Sequence, residues 1–137
     1  MAYIRQLFSG GAVLTADQMN QVEENIDTHV HRLIPQLAKN VSYTLASGDG
    51  GYHLYHNIAS IHGYTIPAAT VQSFEIGTVI TFVNANSAGN LYVGINSDTL
   101  RRVGTTDVGT RTIAPNGMAT ILKVGETQWY INGTGLT

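Results

Sequence analysis

The chain has 137 residues and a formal net charge of −2, with 43 % hydrophobic and 12 % charged residues. This length is typical of one domain, and the hydrophobic fraction excludes an intrinsically disordered chain. The sequence contains no cysteine, which excludes disulfide bonds, cysteine-based zinc sites and thiol catalysis.

The charge pattern argues against two classes of partner. Seven basic residues stand against nine acidic ones, and Arg101 and Arg102 form the one adjacent basic pair, so no basic patch for nucleic acid is expected. No run approaches the roughly 18 apolar residues of a membrane span, and residues 1–14 lack the apolar core of a secretory signal. We therefore expect a soluble protein with neither a nucleic-acid nor a membrane partner.

The chain begins with a short apolar segment. We expect residues 1–14 to form an N-terminal arm, residues 15–38 a helix and linker, and residues 39–137 a β-domain. Two interpretations of the arm stay open, docking on a neighbouring subunit or adding a strand to the protein's own sheet. Its candidate interface residues are Tyr3, Ile4, Leu7 and Phe8.

A helix is predicted over about residues 16–33. Thr15 is a good N-cap, Gln18 stands at the capping-box position, and Pro35 forces Ile34 out of the helical region. One apolar stripe runs along this helix: Met19, Val22, Ile26, Val30 and Leu33. Such a stripe is typical of a helix lying on its own β-domain, and equally of a seam where helices of several subunits meet.

After Lys39 the pattern changes to short β-branched and aromatic runs separated by Gly- and Asn-rich breaks. Strands are predicted at residues 41–46, 52–58, 64–66, 78–84, 91–95, 100–103, 111–113, 118–124 and 128–132. Because no helix intervenes, this spacing predicts an antiparallel β-sandwich or barrel.

Two of these strands are apolar on both faces. In residues 78–83, Ile80 and Phe82 share one face while Val79 and Val83 share the other. In residues 119–124, Ile121 stands with Lys123 on one face, and Leu122 stands with Val124 on the other. Such strands are expected when one face meets the core and the other meets a partner, or when the N-terminal helix covers the second face.

Candidate catalytic and metal-binding residues are few. His29 and His31 are two apart on a helix and point away from each other, while His53 and His56 face opposite sides of a strand. The chain has no nucleophile elbow, no phosphate-binding loop and no calcium loop. We expect no enzymatic activity, no cofactor and no metal site.

The aromatic residues fall in or near the predicted strands. Strand and interface packing explains them best, and a sugar-binding face is the alternative. Such a face would include Tyr52, Tyr55 and Tyr92.

Two segments resemble structural proteins of tailed-bacteriophage virions. Residues 13–26, VLTADQMNQVEENI, continuing to His31, resemble a recurrent N-terminal helix of these proteins. Three stretches between residues 77 and 133 resemble the small β-module of tail fibres, head fibres and capsid decoration proteins: GTVITFVN, TIAPNGMATILKVG and WYING. The two segments, residues 13–31 and 77–133, together cover more than half of the chain.

The resemblance implies a trimeric β-sandwich or barrel without catalytic residues, with Gly125 at a hairpin turn and Trp129 in the core. It implies a capsid decoration protein that binds the major capsid protein on the outer surface of the head. The alternative is a short tail or head fibre component that binds a host surface glycan. The chain has no internal repeat and no shaft, which favours the compact decoration protein.

Overall fold

The computed structural model describes residues 15–30 and 33–137, with the side chains of residues 25–30 outside that description. The chain divides into two compact units, the first ending at Ile34 and the second running from Pro35 to Thr137. The strand unit thus begins at Pro35, whereas the sequence predicted a β-domain from residue 39. Among the described residues, no helix has the length and apolar character needed to cross a membrane.

The helix α1 spans Ala16–Val30 and begins where the capping signals predict. The Gln18 amide donates to Thr15 Oγ1 at 3.2 Å, and the Thr15 amide donates to Gln18 Oε1 at 2.9 Å. This reciprocal capping box satisfies two amides that the helix itself leaves unpaired. The predicted end at residue 33 is wrong, because Leu33 already lies in a bend outside the helix, two residues before Pro35.

The second unit is mainly β, which confirms the predicted class of a β-domain following one helix. One short 3₁₀ turn, Ser47–Asp49, lies among the strands. The strands are β1 Gln36–Ala38, β2 Tyr43–Thr44, β3 His53–His56, β4 His62–Ile66, β5 Val79–Asn84, β6 Leu91–Ile95, β7 Thr99–Arg102, β8 Arg111–Gly125 and β9 Gln128–Leu136.

The predicted antiparallel arrangement is wrong for most strand pairs. Strands β1, β3 and β5 form one parallel ladder, β2, β4 and β6 form a second, and β7 pairs with β9 in parallel. The chain visits the two ladders alternately, so the Gly- and Asn-rich breaks carry it across to the other ladder instead of folding it back as hairpins.

The long strand β8 joins both ladders. Residues Arg111–Ile113 pair antiparallel with β6, and Met118–Leu122 pair antiparallel with β5. The sheet consequently curls into an open half-barrel. The sequence predicted a break at residues 115–117, where the structure has a register shift within one strand, with Asn116 at φ 59°.

The core lies on the inner face of this curled sheet. Leu54, Phe82 and Ala119 stand side by side on adjacent strands and are buried. Trp129 is also buried, which confirms the core position that the resemblance implied for it. Gly125 ends β8 at the turn into β9, as expected.

Candidate interface

The outer face of strands β5, β8 and β9 carries apolar side chains. Inward residues such as Ile80, Ile121 and Ile131 are completely buried. On the opposite side, Val79 is paired with Leu122 and Leu122 with Tyr130, so these three outward side chains form one row across three strands. Between 37 % and 41 % of each remains exposed.

More apolar side chains extend this surface. Met118 stands opposite the half-buried Val83, and Val124 follows Leu122 on the same side of β8. We call these six residues the outer face: Val79, Val83, Met118, Leu122, Val124 and Tyr130. A polar row lies between its two halves, where the Thr81 and Thr120 hydroxyl oxygens are 3.0 Å apart and Asn132 is paired with Thr120.

The outer face has the chemistry of a contact surface. Aliphatic and aromatic groups alternate on it with short hydroxyl and amide groups, and Arg101 of β7 is paired with Tyr130 at its edge. Exposed apolar surface of this kind is typical of protein–protein interfaces, whose centres are depleted of charge. The arrangement can bind a complementary apolar surface.

The structure describes the side chains of only three of the nine interface residues that the sequence predicted. Met19 is 42 % exposed, Leu33 is 80 % exposed and Val22 is half-buried, so these positions are open to solvent to different degrees. The side chains of Ile26 and Val30, and all of Tyr3, Ile4, Leu7 and Phe8, lie outside the described residues. No contact among these nine residues is therefore established.

Sequence reasoning did not include the outer face among its candidate site residues. The signal was present, because residues 78–83 and 119–124 alternate with apolar residues on both faces. Deciding which face meets solvent required the strand pairing, since alternation alone does not say which side meets the core.

A buried polar cluster is formed by His56 of β3, His62 of β4, Asn84 of β5 and Asn86, which follows β5. His56 and Asn84 are completely buried, and Asn86 is nearly so. His56 Nδ1 lies 3.1 Å from Asn84 Oδ1, and His56 Nε2 lies 2.9 Å from Nδ1 of the half-buried His62. The prediction that His53 and His56 face opposite sides is confirmed, since His53 is only half-buried.

The hydrogen bonds of this cluster fix the orientation of its side chains. The Asn84 amide nitrogen donates to the backbone oxygens of Gly89, Ile113 and Ala114, which leaves Asn84 Oδ1 as the acceptor facing His56. Asn84 Oδ1 also accepts from Asn86 Nδ2, which lies 3.5 Å from His56 Nδ1. These hydrogen bonds fix the orientation of the two imidazole rings, which is the role expected of a buried structural cluster.

Metal-binding chemistry requires a denser set of ligands than this cluster contains. Within residues 15–30 and 33–137, no group of three or more His, Asp or Glu side chains is placed to hold a metal ion.

No family model, curated protein or solved structure matches the chain.

Proposed function

We propose that the protein is a structural component of a tailed-bacteriophage virion. In this proposal it is a capsid decoration protein that assembles as a homotrimer and binds the major capsid protein on the outer surface of the head. The observation that carries the proposal is the outer face, with its row of Val79, Leu122 and Tyr130 partly exposed on the sheet. The sequence resemblance to virion β-modules supports it.

The proposed mechanism is stabilisation by contact across subunit joints. A protein that binds neighbouring capsid subunits only in the assembled shell stabilises that shell by mass action. The burial of apolar side chains contributes about 25 cal/mol per Å² to such contacts. Repeated over many joints, this contribution would oppose the internal pressure of packaged DNA.

Particle composition tests the proposal directly. Quantitative mass spectrometry of purified virions should find copies in proportion to the major capsid protein. A small number of copies, together with localisation at the tail, would contradict the decoration function and identify the protein as a fibre component. Complete absence from the particle would overturn both.

Heat tolerance tests the mechanism separately. Particles that lack the protein should release their DNA at a lower temperature than complete particles, and adding purified protein back should restore the difference. Unchanged heat tolerance together with lost adsorption to host cells would contradict the decoration function and favour host binding.

A further inference from the structure

A direct contact between two histidine side chains links the two parallel ladders. His56 is the last residue of β3 in the first ladder, and His62 is the first residue of β4 in the second. His56 Nε2 lies 2.9 Å from His62 Nδ1, and the centroids of the two rings are 5.2 Å apart. Since His56 is completely buried, this link between the ladders depends on a polar group that water does not reach.

The contact between the two rings has room for a single hydrogen atom. In a hydrogen bond between imidazole nitrogens one nitrogen donates and the other accepts, so either His56 Nε2 or His62 Nδ1 carries hydrogen. A protonated imidazole carries hydrogen on both of its nitrogens. If both rings were protonated, two N–H groups and two positive charges would face each other. The closed contact therefore allows at most one of the two rings to be charged.

The groups that contact the pair supply no negative charge. Asn84 Oδ1 lies 3.1 Å from His56 Nδ1, and both Asn84 and Asn86 are uncharged amides. The Tyr64 ring lies edge-on to His56 with centroids 6.2 Å apart, and burial raises the pKa of its phenol, which is therefore neutral in acid. Among the described residues, no carboxylate forms a hydrogen bond with either imidazole. A second positive charge at the pair would consequently have no counter-ion.

Charged side chains lie on the far side of the Tyr64 ring. The Tyr43 ring meets Tyr64 edge-on, with centroids 6.4 Å apart. The Lys39 ammonium lies 4.0 Å from the Tyr43 centroid, and the Tyr43 hydroxyl donates to Asp49 at 3.3 Å. Because these two charges have opposite signs, they provide no net negative charge for the histidine pair.

We propose that His56 and His62 form an acid-sensitive contact between the two ladders. The folded protein with this contact closed binds at most one additional proton at the pair. The unfolded chain binds two, because exposed histidine side chains take up protons between about pH 8 and pH 5. Since the unfolded state then binds more protons than the folded state, the free energy of unfolding decreases as the pH falls through this range.

Urea denaturation at pH 8 and pH 5 measures this decrease. The reference is the double variant His56→Gln, His62→Gln, whose amides form hydrogen bonds and take up no proton in this range. One extra proton on the unfolded state changes the unfolding equilibrium constant about tenfold per pH unit. Acidification should therefore raise this constant about tenfold or more in the unmodified protein relative to the double variant.

His53→Gln is the matched control. His53 belongs to the same strand as His56 but is only half-buried on the opposite side, so this variant removes a histidine outside the contact. It should lose stability in acid as the unmodified protein does. The proposal is overturned if the folded double variant loses as much stability as the unmodified protein, or if His53→Gln abolishes the loss.

Nuclear magnetic resonance of the unmodified protein tests the contact without requiring the double variant to fold. Chemical shifts of the ring nitrogens report which imidazoles are protonated, and nuclear Overhauser effects between the His56 and His62 rings report the contact. Between pH 8 and pH 5, these effects should persist while one ring stays neutral, and should weaken when both rings are protonated. Two protonated rings with undiminished Overhauser effects between them would contradict the proposal.

Discussion

At the scale of single residues, Gly89 shows how closely the polar cluster is packed. Its amide donates to Asn86 Oδ1 at 2.6 Å, and its carbonyl accepts from Asn84. A Cβ atom at this position would lie 2.1 Å from the backbone oxygen of Ala59. Any side chain must therefore displace one of the two backbone segments, together with the hydrogen bonds of the cluster.

Gly89→Ala is accordingly expected to lower the free energy of unfolding by about 2–3 kcal/mol, because the added methyl group overpacks a buried site. Urea denaturation followed by circular dichroism measures this change. Gly63→Ala is the matched control, since no atom lies within 4 Å of a Cβ at that position. Equal effects of the two substitutions would show that the close approach at Gly89 does not limit stability.

Tyr64 predicts a dependence of stability on alkaline pH. Its ring is buried, its hydroxyl donates to the Lys39 carbonyl, and burial raises the pKa of the phenol above its ordinary value of about 10. Above that pH the unfolded chain releases the phenolic proton while the folded protein keeps it. The stability contributed by the neutral phenol is therefore complete below pH ~10 and decreases as the pH rises further.

Tyr64→Phe should remove this part of the loss of stability at alkaline pH. The variant is expected to be less stable at pH 8 by about 1 kcal/mol, because the hydrogen bond to Lys39 is lost. Between pH 8 and pH 11, its free energy of unfolding should decrease less than that of the unmodified protein. Tyr130→Phe on the outer face is the control. If the free energy of unfolding of Tyr64→Phe decreases between pH 8 and pH 11 as much as that of the control, ionisation of Tyr64 does not cause the loss of stability.

At the scale of elements, the outer face gives the most direct prediction. Leu122 lies at the centre of its apolar row, between Val79 and Tyr130. Taken as the contact between copies in the proposed trimer, the outer face makes Leu122→Lys a direct test. The added charge should shift the protein from trimer to monomer, while changing the free energy of unfolding by about 1 kcal/mol or less because the position is partly exposed.

Light scattering after size-exclusion chromatography measures the oligomeric state. Val71→Lys is the matched control, because Val71 is 80 % exposed and lies outside the strands. A Leu122→Lys protein that associates like the control would show that the outer face is not the self-contact, and so would a monomeric unmodified protein.

Individual elements could be predicted to different extents. The start of α1 is local chemistry, since Thr15 and Gln18 satisfy each other's backbone amides within one turn. Strand β1 was missed because its three residues, Gln36–Ala38, form no alternating run and are held by pairing with β3. The continuity of β8 was also missed, because residues 115–117 read as a turn and only the pairing on both sides shows a register shift within one strand.

At the scale of the whole molecule, the pairing of strands was beyond the reach of sequence patterns. Leu37 is paired with Leu54, and Leu54 with Phe82, across intervals of unequal length. Such parallel pairing leaves no hairpin signal, because the partners are joined through a strand of the other ladder. The candidate interface followed the same rule, because the exposed row of Val79, Leu122 and Tyr130 depends on the pairing of β8 with β5 and β9.

The sequence by itself determined the class of the protein: one capped helix followed by short strands, with β5 and β8 apolar on both faces. These properties depend on interactions between near neighbours in the chain, such as capping, alternation and turn formation. Only the tertiary structure decided that the strands form two parallel ladders, that Val79, Leu122 and Tyr130 share an exposed row, and that His56 meets Asn84 in a buried polar cluster. Those properties depend on contacts between residues far apart in the chain, whose register is selected by packing of the entire core.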